Sequence, residues 1–193
     1  MKGILPSGTE AYISVDVECS GNILPGTYSM LSIGACVVGD RSKKFYIELR
    51  PLNDNYIQKS LEVCGLDMEF LFREGIIPKE AMEKFEEWVK ESAGDKMPVM
   101  VAFNAPFDWM FVNWYFYNFL KRNPFANSCL DMKAYYMGMM NTSWEDTKSS
   151  RIPQKFHSEL SHTHNALDDA LEQAEMCEKF FAYQAERCCG RVA

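Results

Sequence analysis

Nowhere does this chain run for about 18 apolar residues without a charge, so a membrane-spanning helix is not expected. The opening Met1-Lys2-Gly3-Ile4-Leu5-Pro6 stretch is too short, and too broken by Pro6 and Gly8, to read as a signal peptide. None of the seven cysteines forms a CxxC pair, which excludes a dithiol redox motif and a cysteine-based zinc ribbon. Their odd number suits reduced thiols in a reducing compartment, and a cytoplasmic protein is expected. Basic charge is also short: 20 Lys and Arg stand against 27 Asp and Glu, a net charge of −7. That balance argues against a broad basic groove for long duplex DNA. Internal repeats and low-complexity tracts are missing as well.

What is present is a core. Apolar residues make up 47% of the 193 and charged ones 24%, enough for a packed single domain over residues 1–193. Ala11 to Val17 alternates, with Ile13, Val15 and Val17 on one side and Tyr12, Ser14 and Asp16 on the other. This is a strand, and its period of two puts Asp16 and Glu18 on one face. Ser29–Val38 and Lys43–Leu49 read as two more strands joined at Gly39-Asp40. Leu52–Glu74 reads as short helices and loops. Pro78–Glu91 is an amphipathic helix whose stripe is Ala81, Met82, Phe85, Trp88 and Val89. Pro98–Phe103 is a buried strand, Pro106–Lys121 a helix, Ser128–Leu130 a brief strand, Asp131–Met140 a helix and Ala166–Cys188 a long one. The order is α/β, with a mixed sheet flanked by helices.

Three short signatures carry the candidate chemistry: Val15-Asp16-Val17-Glu18, Asn104-Ala105-Pro106-Phe107-Asp108, and His164-Asn165-Ala166-Leu167-Asp168-Asp169-Ala170. Taken singly, Asp16 and Glu18 could be exposed strand-end acids, and Asp108 could be an acid favoured by a helix N-terminus. Asp168 and Asp169 compete, because adjacent helical positions face differently. Together, four carboxylates and one histidine are the donor set of a metal-dependent phosphodiesterase: carboxylate oxygens hold hard cations, and imidazole can take a proton near neutral pH. A zinc site is not expected at His157, His162 and His164, since no cysteine stands near them.

In this order the three signatures resemble those of the DEDDh 3'-5' exonucleases, the family of RNase T, oligoribonuclease and polymerase proofreading subunits. The resemblance implies a ribonuclease H-like fold with a mixed five-stranded sheet. It also implies hydrolysis at the 3' end of single-stranded DNA or RNA, releasing nucleoside 5'-monophosphates. The implied cofactor is two Mg²⁺ ions, replaceable by Mn²⁺. They would be held by Asp16, Glu18, Asp108 and Asp169, with Asp16 bridging the ions and Asp108 acting through a water. His164 would be the general base. The family spacing selects Asp169 over Asp168, and Asn165 stands where the tyrosine branch of the superfamily would have Tyr. An acidic chain is compatible with such an enzyme, because the metals supply the positive charge that faces phosphate.

Substrate contacts are expected from Cys19, Ser20, Asn104, Phe107 and Met30, with Leu24 and Phe72 as further wedges. Cys19-Ser20 stands where many relatives have Thr, and Asn22 where RNase T has a stacking aromatic. Asn141–Ser161 reads as a polar surface loop carrying Lys148, Arg151 and Lys155, either merely solvated or a mobile substrate clamp. The nearly all-apolar helix Phe107–Leu120 is buried in the domain or lies at a homodimer interface. The alternative function is a catalytically silent nucleic-acid-binding or scaffolding protein of the same fold.

Overall fold

The computed structural model describes residues 8–189, and the opening Met1–Pro6 stretch lies outside them. Its strands are β1 (Glu10–Cys19), β2 (Met30–Val37), β3 (Asp40–Glu48), β4 (Met97–Ala102) and β5 (Cys129–Asp131). They form one five-stranded sheet in the order β3-β2-β1-β4-β5. The first three make an antiparallel meander, while β4 and β5 run parallel to β1. The helices are α1 (Gln58–Cys64), α2 (Met68–Glu74), α3 (Pro78–Ala93), α4 (Pro106–Tyr115), α5 (Met132–Met140) and α6 (Ala166–Cys189). The mixed sheet flanked by helices is thus as expected. No helix among the described residues is long and apolar enough to cross a membrane.

Alternation along β1 divides the core in two. Ile13, Val15 and Val17 pack with Phe85 and Val89 of α3 and Phe111, Val112 and Tyr115 of α4. Tyr12 points the other way, edge-on to Phe181 of α6 at 4.9 Å, and joins Cys36, Val101 and Tyr136. Both faces of β1 are therefore buried, and a charged side chain on this strand is held wherever the sheet puts it.

The run that reads as one helix to Lys121 is α4 followed by a π-type turn over Phe116–Leu120, ended by Lys121 in the left-handed region (φ 58°). Phe116 stacks on Phe85 at 5.7 Å, and Phe111, Val112 and Tyr115 are fully buried, so this helix belongs largely to the core of its own chain.

The 141–161 segment is not irregular throughout. It forms three short 3₁₀ turns, pinned by the buried side chains of Ile152 and Phe156. Its cations are already partnered. Lys148 pairs with Glu145 at 2.6 Å and Arg151 with Glu145 at 3.3 Å and Asp146 at 3.4 Å, while Lys155 sits 4.3 Å over the Tyr183 ring. Apolar residues spaced too widely to show periodicity anchor the loop, and its acids neutralise its bases.

Candidate active site

Asp16 stands opposite Gly34 of β2 and Glu18 opposite Ser32, followed by a register shift between Glu18 and Cys19. Such an irregularity bends the end of a strand and re-aims its last side chains. Asp16 and Glu18 share the face of β1 on which the start of α6 lies. That approach depends on Gly34. A Cβ built there would stand 2.0 Å from the carbonyl carbon of Ala166 and 2.1 Å from its oxygen, so only glycine lets the backbone of α6 come so near β2. Ala166 and Ala170 are fully buried in the same contact, which matches their small size.

Asp169, in the second turn of α6, is 1% exposed, whereas Asp168 faces solvent. Its two oxygens accept from the backbone N–H groups of Thr163 (2.9 Å) and His164 (3.1 Å). The carboxylate thereby grips the turn that carries the histidine, with His164 in the left-handed region at φ 56°. Asn165 caps the helix, its Oδ1 accepting from Leu167 at 3.0 Å and Asp168 at 3.3 Å. Carboxylate oxygens of Asp16, Glu18 and Asp169 all lie within 4.8 Å of one another, which a single cation could bridge. Residues 151 to 153 positions apart in sequence are brought together here by α6 lying across the sheet.

Asp108 enters from the opposite side. β4 ends at Ala102, the chain turns through Asn104 (φ 67°), and Pro106 opens α4 with Asp108 in its first turn. Asp108 is 4% exposed, and its Oδ1 accepts the Val17 N–H at 3.2 Å. It lies outside the Asp16–Glu18–Asp169 group but shares its electrostatics. Burial, then the neighbouring Asp108, Glu18 and Asp169, hold the Asp16 carboxyl well above the usual carboxylate range. Burial, then Asp169 and Asp108, push Glu18 up to about 8, and burial pushes Asp108 up to about 7. Asp16, Glu18 and Asp108, three acids that resist ionising together, are part of a donor set that a hard cation relieves.

Two site residues escape a reading of the sequence. Gln173 of α6 donates from Nε2 to Asp16 Oδ1 at 2.7 Å and accepts the Phe103 N–H through Oε1 at 2.8 Å. It ties Asp16, α6 and the end of β4 together. Asp131 accepts the Ala105 N–H at 3.0 Å and the Ala134 N–H at 3.0 Å, bracing the turn before Asp108 from β5. Neither sits in a recognisable pattern; the only hint is Asp131 as an N-cap three residues before Ala134.

The expected substrate contacts fare unevenly. A cavity of about 300 Å³ opens beside Glu18, between the end of β1 and α1, lined among others by Cys19, Asn22, Ile57, Ser60 and Phe107. Phe107 is half-buried and packs against Phe111 at 5.4 Å, and Asn104 is exposed. Cys19 reaches the cavity but is only 5% exposed. Two expectations fail. Ser20 is fully buried, donating to the Asn55 carbonyl at 2.8 Å and accepting from Ser29 N–H, so it braces the loop that follows β1. Met30 is fully buried, and its N–H donates to the Tyr115 hydroxyl at 2.8 Å, so its side chain is core and no wedge. Leu24 is exposed but lines a separate groove with Met110 and Trp114.

A mixed sheet of order β3-β2-β1-β4-β5, with acids at the C-terminal end of β1 and at the starts of α4 and α6, is the ribonuclease H-like arrangement of 3'-5' exonucleases. The chain belongs to the family described as the Rv2179c-like 3'-5' exoribonuclease domain, which matches residues 11–181. It is an enzyme of the 3'-5' exonuclease class. It is 46% identical over 168 residues to the 3'-5' DNA exonuclease Cap18 of Escherichia coli, covering 86% of this chain and 89% of that protein. The nuclease domain of 3'hExo, a DEDDh family member bound to rAMP, superposes with a TM-score of 0.73 at 13% identity, covering 90% of this chain and 92% of that one. Exonuclease I of E. coli in complex with a dT13 oligonucleotide gives 0.67 at 14% identity, covering 94% of this chain but 43% of that longer one. At such identities these structures bear on the fold alone.

Proposed function

We propose that the protein removes nucleoside 5'-monophosphates stepwise from the 3' end of single-stranded DNA or RNA, with two divalent ions, Mg²⁺ or Mn²⁺, at the acidic cluster. The observation that carries this reading is the convergence of Asp16, Glu18 and Asp169 within 4.8 Å, with Asp169 also gripping the His164 turn. Divalent ions there supply Lewis-acid stabilisation of the phosphate and of the departing oxygen. Asp16, Glu18 and Asp169 hold them, and Gln173 keeps one Asp16 oxygen turned to itself. The terminal nucleoside occupies the cavity beside Glu18, its base against the exposed side of Phe107. His164 takes a proton from the attacking water. As the water oxygen bonds to phosphorus, the bond to the 3'-oxygen of the preceding nucleotide breaks, leaving a 3'-hydroxyl on the shortened strand.

DNA is named for the 46% identical relative and RNA for the family. The test is incubation with 5'-labelled and 3'-labelled oligomers of both kinds, with Mg²⁺ and with chelator. A descending ladder on the 5'-labelled strand and immediate release of label from the 3'-labelled one are expected, only with the ion. Internal cuts, or cleavage in chelator, would overturn the reading.

The same cluster predicts a pH-dependent stability. Glu18 and Asp108 have folded pKa values of about 8 and about 7, above their ordinary carboxylate values. The folded protein therefore keeps protons that the unfolded chain has released, and in chelator the contribution of these two groups to stability is full below about pH 4 and is lost as pH rises to 8. Divalent ions reverse this loss. At a hundred times its dissociation constant an ion adds about 2.7 kcal/mol, or roughly 5–10 °C in Tm for a chain of this size. Thermal denaturation should show that shift at pH 8 and a much smaller one at pH 5, where protons compete for the carboxylates. Equal shifts at both values would contradict the cluster as the binding site.

A further inference from the structure

A second donor set overlaps the first. His162, His164 and Asp169 each offer a ligand atom, and these atoms lie within 4.8 Å of one another. The two imidazoles meet edge to face with ring centroids 4.5 Å apart. His162 Nδ1 stands 3.2 Å from Asp169 Oδ1 and 2.9 Å from Glu172 Oε2, so Glu172 holds that ring beside the aspartate. Both histidines are exposed, and an ion can reach them from solvent.

The chemistry of this set differs from that of Asp16, Glu18 and Asp169. Three carboxylates suit Mg²⁺ or Mn²⁺, whereas two imidazoles with one carboxylate suit Zn²⁺ and its transition-metal neighbours. His-His-carboxylate with an open fourth position is a recurrent zinc arrangement. Cysteine, whose scarcity near these histidines argues against zinc in the sequence, is not required. Asp169 supplies the third donor from the next turn of chain.

The geometry points to an inhibitory zinc site at His162, His164 and Asp169. It rests on the exonuclease reading only for its consequence. Zinc bound there occupies the imidazole lone pair that His164 needs to accept a proton, and it draws Asp169 away from the hard-cation cluster. Hydrolysis stops without any change of fold. His162 belongs to this site alone, which makes it the residue to test.

Zinc titration by calorimetry, on wild-type protein without nucleic acid, is expected to show one tight ion per chain. His162→Ala should weaken that ion at least tenfold, and Co²⁺ should lose its tetrahedral visible absorption in the variant. In exonuclease assays with saturating Mg²⁺, low zinc should arrest the wild type, and the inhibition midpoint of His162→Ala should rise by a similar factor. Equal zinc affinity in wild type and variant, or equal inhibition of both, would overturn the proposal. The calorimetry remains readable if no oligomer is cleaved, so failure of the exonuclease reading is told apart from failure of this one.

Discussion

Replacing His164 with alanine is expected to slow 3'-end hydrolysis by about 10²–10⁴-fold, the usual worth of a positioned general base. The loss should fall on kcat, with little change in KM, because the proposed role of the imidazole is on the attacking water and not on the bound strand. Folding should be nearly untouched. The His164 side chain is exposed, and what Asp169 holds is the backbone N–H at 3.1 Å, which alanine also has. One cost is foreseeable: His164 sits at φ 56°, a left-handed conformation that alanine adopts less readily than glycine or asparagine. His164→Asn therefore serves as a companion variant. Both should keep the Mn²⁺-induced rise in Tm, since Asp16, Glu18 and Asp169 remain. Wild-type rates in both variants would remove His164 from the reaction.

Gly34→Ala should be as damaging from a position that carries no functional group. Its new Cβ would lie 2.0 Å from the Ala166 carbonyl carbon, a backbone atom that no rotamer change can move aside. Strands β1 and β2 are buried on both faces, so the strain passes to α6, whose first turns must lift off the sheet. Overpacking of this kind costs about 1–3 kcal/mol. More telling is the site: Asp169 and the turn it grips move with α6, away from Asp16 and Glu18. A displacement near 1 Å at reacting groups costs on the order of 10²-fold in rate. The expected result is a folded protein with a lowered Tm, a diminished Mn²⁺ shift and a rate near that of the His164 variants. A variant with wild-type Tm and rate would show that the close approach of α6 is not needed.

These two variants separate what is local from what is not. His164 is legible because it heads a signature in which the histidine, the helix start and the aspartate are all within six residues. Asp16 and Glu18 are legible because a period of two places them on one face of β1 whatever surrounds it. The helix over Pro78–Glu91 is legible for the same reason at period 3.6, and the structure extends it only to Ala93. Where the reading fails, distance along the chain is the cause. Ser20 is polar and next to the site in sequence, yet its hydroxyl is used up by Asn55 and Ser29 in a loop the sequence leaves unshaped. Met30 follows a stretch of turn residues and looks available, but it starts β2 in the middle of the sheet and is covered by Tyr115. Lys148 and Arg151 of the 141–161 segment look free because Glu145 and Asp146 meet them through two successive 3₁₀ turns that no periodicity in the sequence announces.

By itself the sequence determined the chemical kinds: an acid pair on one face of β1, an acid at the start of a helix, and a histidine just ahead of an acidic pair opening the last helix, in that order along the chain. Those properties follow from residue type and from local periodicity. Only the tertiary structure decided that α6 lies against Gly34, that Gln173 reaches Asp16 across 157 positions, and that His162 stands beside the acidic cluster, and it buries Asp169, which the family spacing selects, while leaving Asp168 exposed. Each of these depends on how the sheet is ordered and how closely two backbones approach. Residue-by-residue preference does not encode that, because the energies that set it come from packing between segments distant in sequence.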